Sequence, residues 1–151
     1  DYTVYSAPVT DIKDWKCEGV IYSGTQDPNA SERRKYLYAP DVVRGNDGRY
    51  YLYYSLAGFG GKGGFEGPIS VAVCDTPAGK YEYYGDVKKP DGSKFTRMIP
   101  FDPAVINDDG IIRMYYGWAL PVRKPKSRLE AAIITKIMTK NVLQKTRKED
   151  T

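Results

Sequence analysis

Three carboxylates in this 151-residue sequence stand in phrases that set them apart: Asp41 in Tyr38-Ala39-Pro40-Asp41-Val42, Glu66 in Glu66-Gly67-Pro68, and Asp102 in Phe101-Asp102-Pro103-Ala104. A carboxylate held in a pocket can take or give a proton, and one beside a proline can equally cap a backbone amide where a strand begins. Histidine is absent throughout, which removes every His-dependent triad, His-ligated zinc site and imidazole base from consideration. The Gly-Phe-Gly-Gly-Lys-Gly-Gly stretch at 58–64 invites a phosphate-cradle reading. A P-loop, however, ends in Gly-Lys-Ser/Thr and runs straight into a helix. Here a strand-like run follows, so the stretch reads as a flexible loop.

The elements that would position these carboxylates repeat. Asp47-Gly48 leads to Tyr53-Tyr54 downstream of Ala39-Pro40-Asp41, and Asp109-Gly110 leads to Tyr115-Tyr116 downstream of Asp102-Pro103-Ala104; Gly48 and Gly110 lie 62 residues apart. Each copy reads as a strand, a tight Asp-Gly hairpin turn and a second, Tyr-rich strand. A second repeat has a similar period: Trp15 precedes Gly19-Val20 and Tyr81 precedes Gly85-Asp86-Val87, the glycines 66 residues apart. Each of these phrases follows an alternating strand and a short turn, so the unit is four strands long.

Four antiparallel strands repeated every sixty-odd residues, with no helical period between them, predict an all-β fold made of β-propeller blades. The strand count predicts the end of one blade over 1–23, a whole blade over 36–88, and a third, partial or irregular, over 99–151, all within one propeller domain. Residues 131–143 are candidates for the outer pair of that third blade. Because propellers have 4–8 blades, the chain reads as a piece of a longer protein.

Composition agrees with this class. Fourteen tyrosines suit pleated, half-buried surfaces. No run of 18 apolar residues and no signal-peptide pattern is present, so a membrane span is not expected and the compartment stays open. Cys17 and Cys74 lack metal-ligand spacing and read as small, buried apolar residues in equivalent outer regions of successive blades. The net charge of +4 is concentrated late, where Lys124, Lys126, Arg128, Lys136, Lys140, Lys145, Arg147 and Lys148 crowd together. No nucleic-acid recognition motif accompanies them, and a solvated strand edge and linker accounts for the charge without a nucleic-acid partner.

Together the Tyr38–Val42 phrase, the Asp-Gly-x-Tyr-Tyr-Leu-Tyr-Tyr run, Gly67-Pro68-Ile69-Ser70-Val71-Ala72, and Phe101-Asp102-Pro103-Ala104-Val105 resemble glycoside hydrolase family 43 over roughly residues 1–120. The resemblance implies a five-bladed propeller, xylose- or arabinose-containing plant oligosaccharides or polysaccharides as substrates, and an inverting mechanism with no cofactor and no metal. Three acidic residues would act: a base that activates water, an acid that protonates the leaving oxygen, and a third aspartate that tunes and orients the acid. Asp102 matches the third, while the base and acid are expected outside this chain, which alone should be inactive. Glu66 reproduces the Glu-Gly-Pro phrase around the family's acid, but it precedes Asp102 instead of following it, and a catalytic role is not assigned. Blade symmetry places Asp41, like Asp102, where an innermost strand begins. It is a candidate sugar contact or a residue that holds the strand entry. Tyr38 stands where relatives often have Trp, and is a candidate sugar platform or a core residue.

The leading expectation is a glycoside hydrolase segment. A non-catalytic carbohydrate-binding propeller and a pure interaction propeller are the alternatives, because fold alone does not decide function. The expected partners are carbohydrate and the rest of the propeller, with self-association of the isolated piece through its open blade faces.

Overall fold

The computed structural model describes residues 1–58, 68–95 and 99–119, and within them the chain is all-β. β1 (Tyr2–Ser6) pairs with β2 (Lys16–Tyr22). A 3₁₀ turn at Gly24–Gln26 then leads to a four-stranded antiparallel sheet in chain order: β3 (Tyr36–Arg44), β4 (Tyr50–Ala57), β5 (Ile69–Cys74) and β6 (Glu82–Asp86). The third sheet pairs β7 (Ile99–Asp108) with β8 (Ile111–Ala119). The candidate outer strands at 131–143, the basic tail, Glu66 and most of the 58–64 loop lie outside the described residues.

Strand register carries the repeat down to single residues. Val4 faces Gly19 and Tyr5 faces Cys17, which leaves Glu18 as the extra residue; Val71 faces Gly85 and Ala72 faces Tyr83, which leaves Tyr84 extra. Both outer strands therefore bulge immediately before their repeat glycine. The two Asp-Gly turns, by contrast, differ. Asp109 (φ 49°) and Gly110 (φ 88°) form the two-residue turn with both central residues in the left-handed region. The first copy is not tight: residues 45–49 make a longer connection in which the Gly45 amide donates to the Arg49 carbonyl at 2.8 Å and the Gly48 amide to the Gly45 carbonyl at 3.0 Å. The added length presents Asn46, whose Oδ1 accepts a 2.9 Å hydrogen bond from Asn107 Nδ2 in β7.

Alternation along β4 decides where the core sits. Leu52, Tyr54 and Leu56 are buried with Ile21 and Tyr22 of β2, Ala72 of β5 and Tyr81. Tyrosine suits this wedge because its ring supplies apolar area and its hydroxyl can take a partner, as at Tyr22 and Tyr54; the Tyr2 hydroxyl at its edge is buried with no hydrogen-bond partner among the described residues. The Tyr54 hydroxyl donates to Asp27 Oδ2 at 2.6 Å, and Tyr22 and Tyr54 share a hydroxyl–hydroxyl bond of 2.7 Å. Asp27 is 2% exposed, and its other oxygen accepts the Asn29 amide at 2.7 Å. Asn29 reaches across to Asp86 of β6 at 2.9 Å, which also accepts from Tyr83 at 2.8 Å. A polar seam thus runs through the contact between the first two sheets.

The cysteines depart from expectation. Cys17 is exposed and Cys74 half-buried, both as free thiols, and register puts Cys17 opposite Tyr5 in β2 but Cys74 opposite Tyr50 in β5. They occupy different strands of their units, and the stretch of β2 around Cys17 is solvent-exposed.

Removing the Tyr54 hydroxyl should be costly, because Asp27 then keeps a buried oxygen without its donor. Tyr54→Phe is expected to destabilise the protein by about 1–3 kcal/mol in urea unfolding, and Tyr51→Phe, whose hydroxyl meets the exposed Asp47, by far less. Burial also pushes the Tyr22, Tyr81 and Tyr83 hydroxyls up to about 12 from an ordinary value of 10.0. A pKa raised on folding gives stability that is complete below pH 10 and is lost as pH rises towards 12. Unfolding followed by circular dichroism should therefore set in between pH 10 and 12, together with tyrosinate absorbance.

Candidate active site

Pre-proline residues are disfavoured in helical conformations, and L-residues at positive φ are uncommon. Two residues here combine both constraints. Ala39 has φ 49° before Pro40, and Asp102 has φ 52° before Pro103. In β3, Tyr38 pairs with Ser55 and Asp41 with Tyr53, so Ala39 and Pro40 together face Tyr54. In β7, Phe101 pairs with Gly117 and Ala104 with Tyr115, so Asp102 and Pro103 face Tyr116. The same two-against-one bulge therefore interrupts β3 and β7, each after three paired residues.

This corrects the symmetry read from sequence. Asp102 is equivalent to Ala39, and Asp41 is equivalent to Ala104; the Ala-Pro-Asp and Asp-Pro-Ala phrases place their carboxylates on opposite sides of the same proline. Asp102, on the left-handed residue itself, is exposed while Pro103 behind it is buried. Asp41 follows the proline and turns to the backbone. Its Oδ1 accepts the Val42 amide at 2.9 Å, and its Oδ2 accepts the Val105 amide of β7 at 2.6 Å. Val42 and Val105 hold equivalent places, each one residue past the Asp41/Ala104 position, so one carboxylate serves the matching amides of two strands.

A second tie lies at the other end of these strands. Asn107 Nδ2 donates to the Arg44 carbonyl and to Asn46 Oδ1, both at 2.9 Å, while its Oδ1 accepts the Gly110 amide at 2.9 Å. Sequence reasoning did not single out Asn107. The Asn-Asp-Asp-Gly run that contains it was legible only as a turn.

Tyr38 is half-buried, and its hydroxyl donates to the Gly58 carbonyl at 3.0 Å. Tyr38, Asp41 and Asp102 thus lie at or beside the bulges inside β3 and β7, with paired residues on both sides, and not where a strand begins as the sequence reading expected. An open groove of about 670 Å³, lined by Tyr51, Tyr53, Val71, Tyr84 and Ile112 among others, includes none of the three. Among the described residues, no cluster of three His, Cys, Asp or Glu is placed to hold a metal ion, and no helix is long and apolar enough to cross a membrane.

Comparison with known proteins gives this arrangement a context. The model of glycosyl hydrolases family 43 matches residues 2–150. The chain belongs to this family. It is 44% identical over 139 residues to a xylosidase/arabinosidase of Thermoclostridium stercorarium, a match covering 89% of this chain and 28% of that protein. An extracellular endo-α-(1→5)-L-arabinanase of Thermotoga petrophila is 33% identical over 99 residues, 56% of this chain and 20% of that protein. Among solved structures, a family 43 β-1,3-galactosidase with galactodeoxynojirimycin matches with a TM-score of 0.56 at 20% identity, over 77% of this chain and 45% of that one. The fold is accordingly that of β-propeller blades of antiparallel strands. The chain spans between a fifth and under a third of the curated relatives named here.

If the left-handed bulge is a property of the family fold and not of the carboxylate, its strain should be separable from Asp102. Ala39→Gly is expected to raise the melting temperature by relieving a conformation that costs an L-residue about 1–2 kcal/mol, partly offset by glycine's freedom in the unfolded chain. Ala39→Val should lower it, since a β-branched side chain tolerates positive φ least. Calorimetry on the two variants checks the opposite signs.

Proposed function

We propose that the protein carrying this chain is an inverting glycoside hydrolase acting on xylose- or arabinose-containing polysaccharides or oligosaccharides, and that Asp102 tunes and orients its general acid. In this reading the first sheet ends one blade, residues 36–88 form the next, and 99–151 belong to a third, within one propeller domain that the remaining polypeptide completes. The observation that carries the proposal is the placement of Asp102: an exposed carboxylate on the left-handed residue of a bulge within β7, in the Phe-Asp-Pro phrase of a family 43 chain. The 44% identical relative named a xylosidase/arabinosidase supports the substrate class.

The chemistry follows from charge and position. A negative charge beside a carboxylic acid raises its proton affinity, so the acid stays protonated at the pH where the base is ionised. The base activates water on one face of the sugar, and the acid protonates the leaving oxygen on the other. Asp102 needs no contact with the scissile bond for this. It has to be held at a fixed place, which a bulge locked by the buried Pro103 provides. Tyr38, with its hydroxyl committed to the Gly58 carbonyl, has its orientation fixed and offers a ring edge or face to a sugar.

In the intact protein, Asp102→Asn is expected to reduce turnover of aryl xylosides or arabinofuranosides by about 10²-fold or more, and Glu66→Gln to change it little. Steady-state kinetics on both variants decides the matter. Comparable activity of Asp102→Asn and wild type would remove Asp102 from the mechanism, and a severe loss in Glu66→Gln would show that the order of the acidic residues has been misread.

A further inference from the structure

Resting on the reading of Asp102 above, we propose that Asp41 is a positioning residue: by bridging the Val42 and Val105 amides it holds the β7 bulge, and Asp102 with it, against β3. Both Asp41 oxygens are engaged by backbone amides, at 2.9 and 2.6 Å, and the second bond crosses from one sheet to the next. The engaged amide of Val105 lies only three residues beyond Asp102. Between them stand Pro103, whose ring fixes its own φ and whose side chain is buried, and Ala104. Val105 itself is 7% exposed. Slack is therefore small between the clamped amide and the displayed carboxylate, and a shift at Val105 is passed to Asp102 instead of being absorbed.

The two bulges show why the clamp belongs to this pair of strands. At Ala104, the position in β7 equivalent to Asp41, no side-chain acceptor exists, so β7 is held from the β3 side through Asp41. At the opposite end, Asn107 holds the same two strands through Arg44 and Asn46. Between these ties the strands are seated as one unit, with the Asp41 tie nearest the chemistry. A charged acceptor on a backbone amide is among the stronger hydrogen bonds, and its removal leaves the Val105 amide without that partner. Misplacement by about 1 Å can cost about 10²-fold in rate.

The test is a pH–rate profile of the intact protein for wild type, Asp41→Ala, Asp41→Asn and Asp102→Asn. Asp41→Ala should lower kcat by about 10- to 100-fold, with a smaller change in KM, and move the alkaline limb of kcat/KM to lower pH, because the general acid loses the nearby charge that sustains its protonation. Asp41→Asn keeps one acceptor oxygen and should fall between Ala and wild type in both measures. Should Asp41→Ala fail to fold, the same shift, reduced in size, is read in Asp41→Asn. A lowered melting temperature with wild-type kcat and alkaline limb overturns the proposal, since Asp41 then only stabilises the fold. A raised KM with kcat and the alkaline limb unchanged also overturns it, in favour of a direct sugar contact. An inert Asp102→Asn beside an unperturbed Asp41→Ala sinks the clamp alone, whereas a fully active Asp102→Asn sinks the role given to Asp102 and the clamp with it.

Discussion

The bulged backbone within β3 and β7 is the constraint on which the rest depends. Ala39 and Asp102 are held at φ 49° and 52° immediately before proline, a combination that an isolated chain avoids. Proline then prevents the backbone from rotating out of the bulge, and the next residue resumes strand pairing with its partner on β4 or β8. The cost is met by surrounding structure: Asp41 on the Val105 amide, Asn107 on Arg44 and Asn46, and the burial of Pro103 and Val105. That the same conformation appears at an alanine shows that the bulge does not depend on a carboxylate. Only one of the two positions, Asp102, carries a carboxylate on the left-handed residue.

The wedge between the first two sheets obeys a different rule. Tyr22 and Tyr54 have ring centroids 5.1 Å apart, and Tyr2 meets Tyr54 edge-on at 6.3 Å. Such pairs add about 0.5–1.5 kcal/mol beyond simple area burial, and the Tyr54 hydroxyl, itself bonded to Tyr22, satisfies the buried Asp27 with no cation beside it among the described residues. The corresponding tyrosine of β8, Tyr116, is 43% exposed and packs edge-on against Phe95 at 5.9 Å. A repeated residue thus meets two environments, one closed by a preceding sheet and its loop and the other more open to solvent.

Much of this was legible in the sequence, because strand period, turn chemistry and repeat spacing act locally. The Gly48–Gly110 and Gly19–Gly85 spacings predicted four-stranded antiparallel units, and the register of the second sheet and the matched bulges at Glu18 and Tyr84 agree with that unit. Three things were not legible. The loosened turn at 45–49 arises because Asn46 is used by β7, a contact more than sixty residues away in sequence. The offset between Asp41 and Asp102 depends on which residue of a bulge takes positive φ, and an Ala-Pro-Asp phrase does not announce that. The exposure of Cys17 reflects what packs on the outer stretch of β2, which apolar character alone does not report.

The central claim is that the two aspartates flanking equivalent prolines have divided their work, Asp102 facing the chemistry and Asp41 facing the backbone. A crystal structure of the intact protein with a xylose- or arabinose-configured inhibitor tests it most directly. The account predicts the Asp102 carboxylate within reach of the general acid at the sugar-binding pocket, and the Asp41 carboxylate on the Val42 and Val105 amides with no sugar hydroxyl in contact. A sugar hydroxyl bonded to Asp41, with the Val105 amide turned to another acceptor, would contradict it.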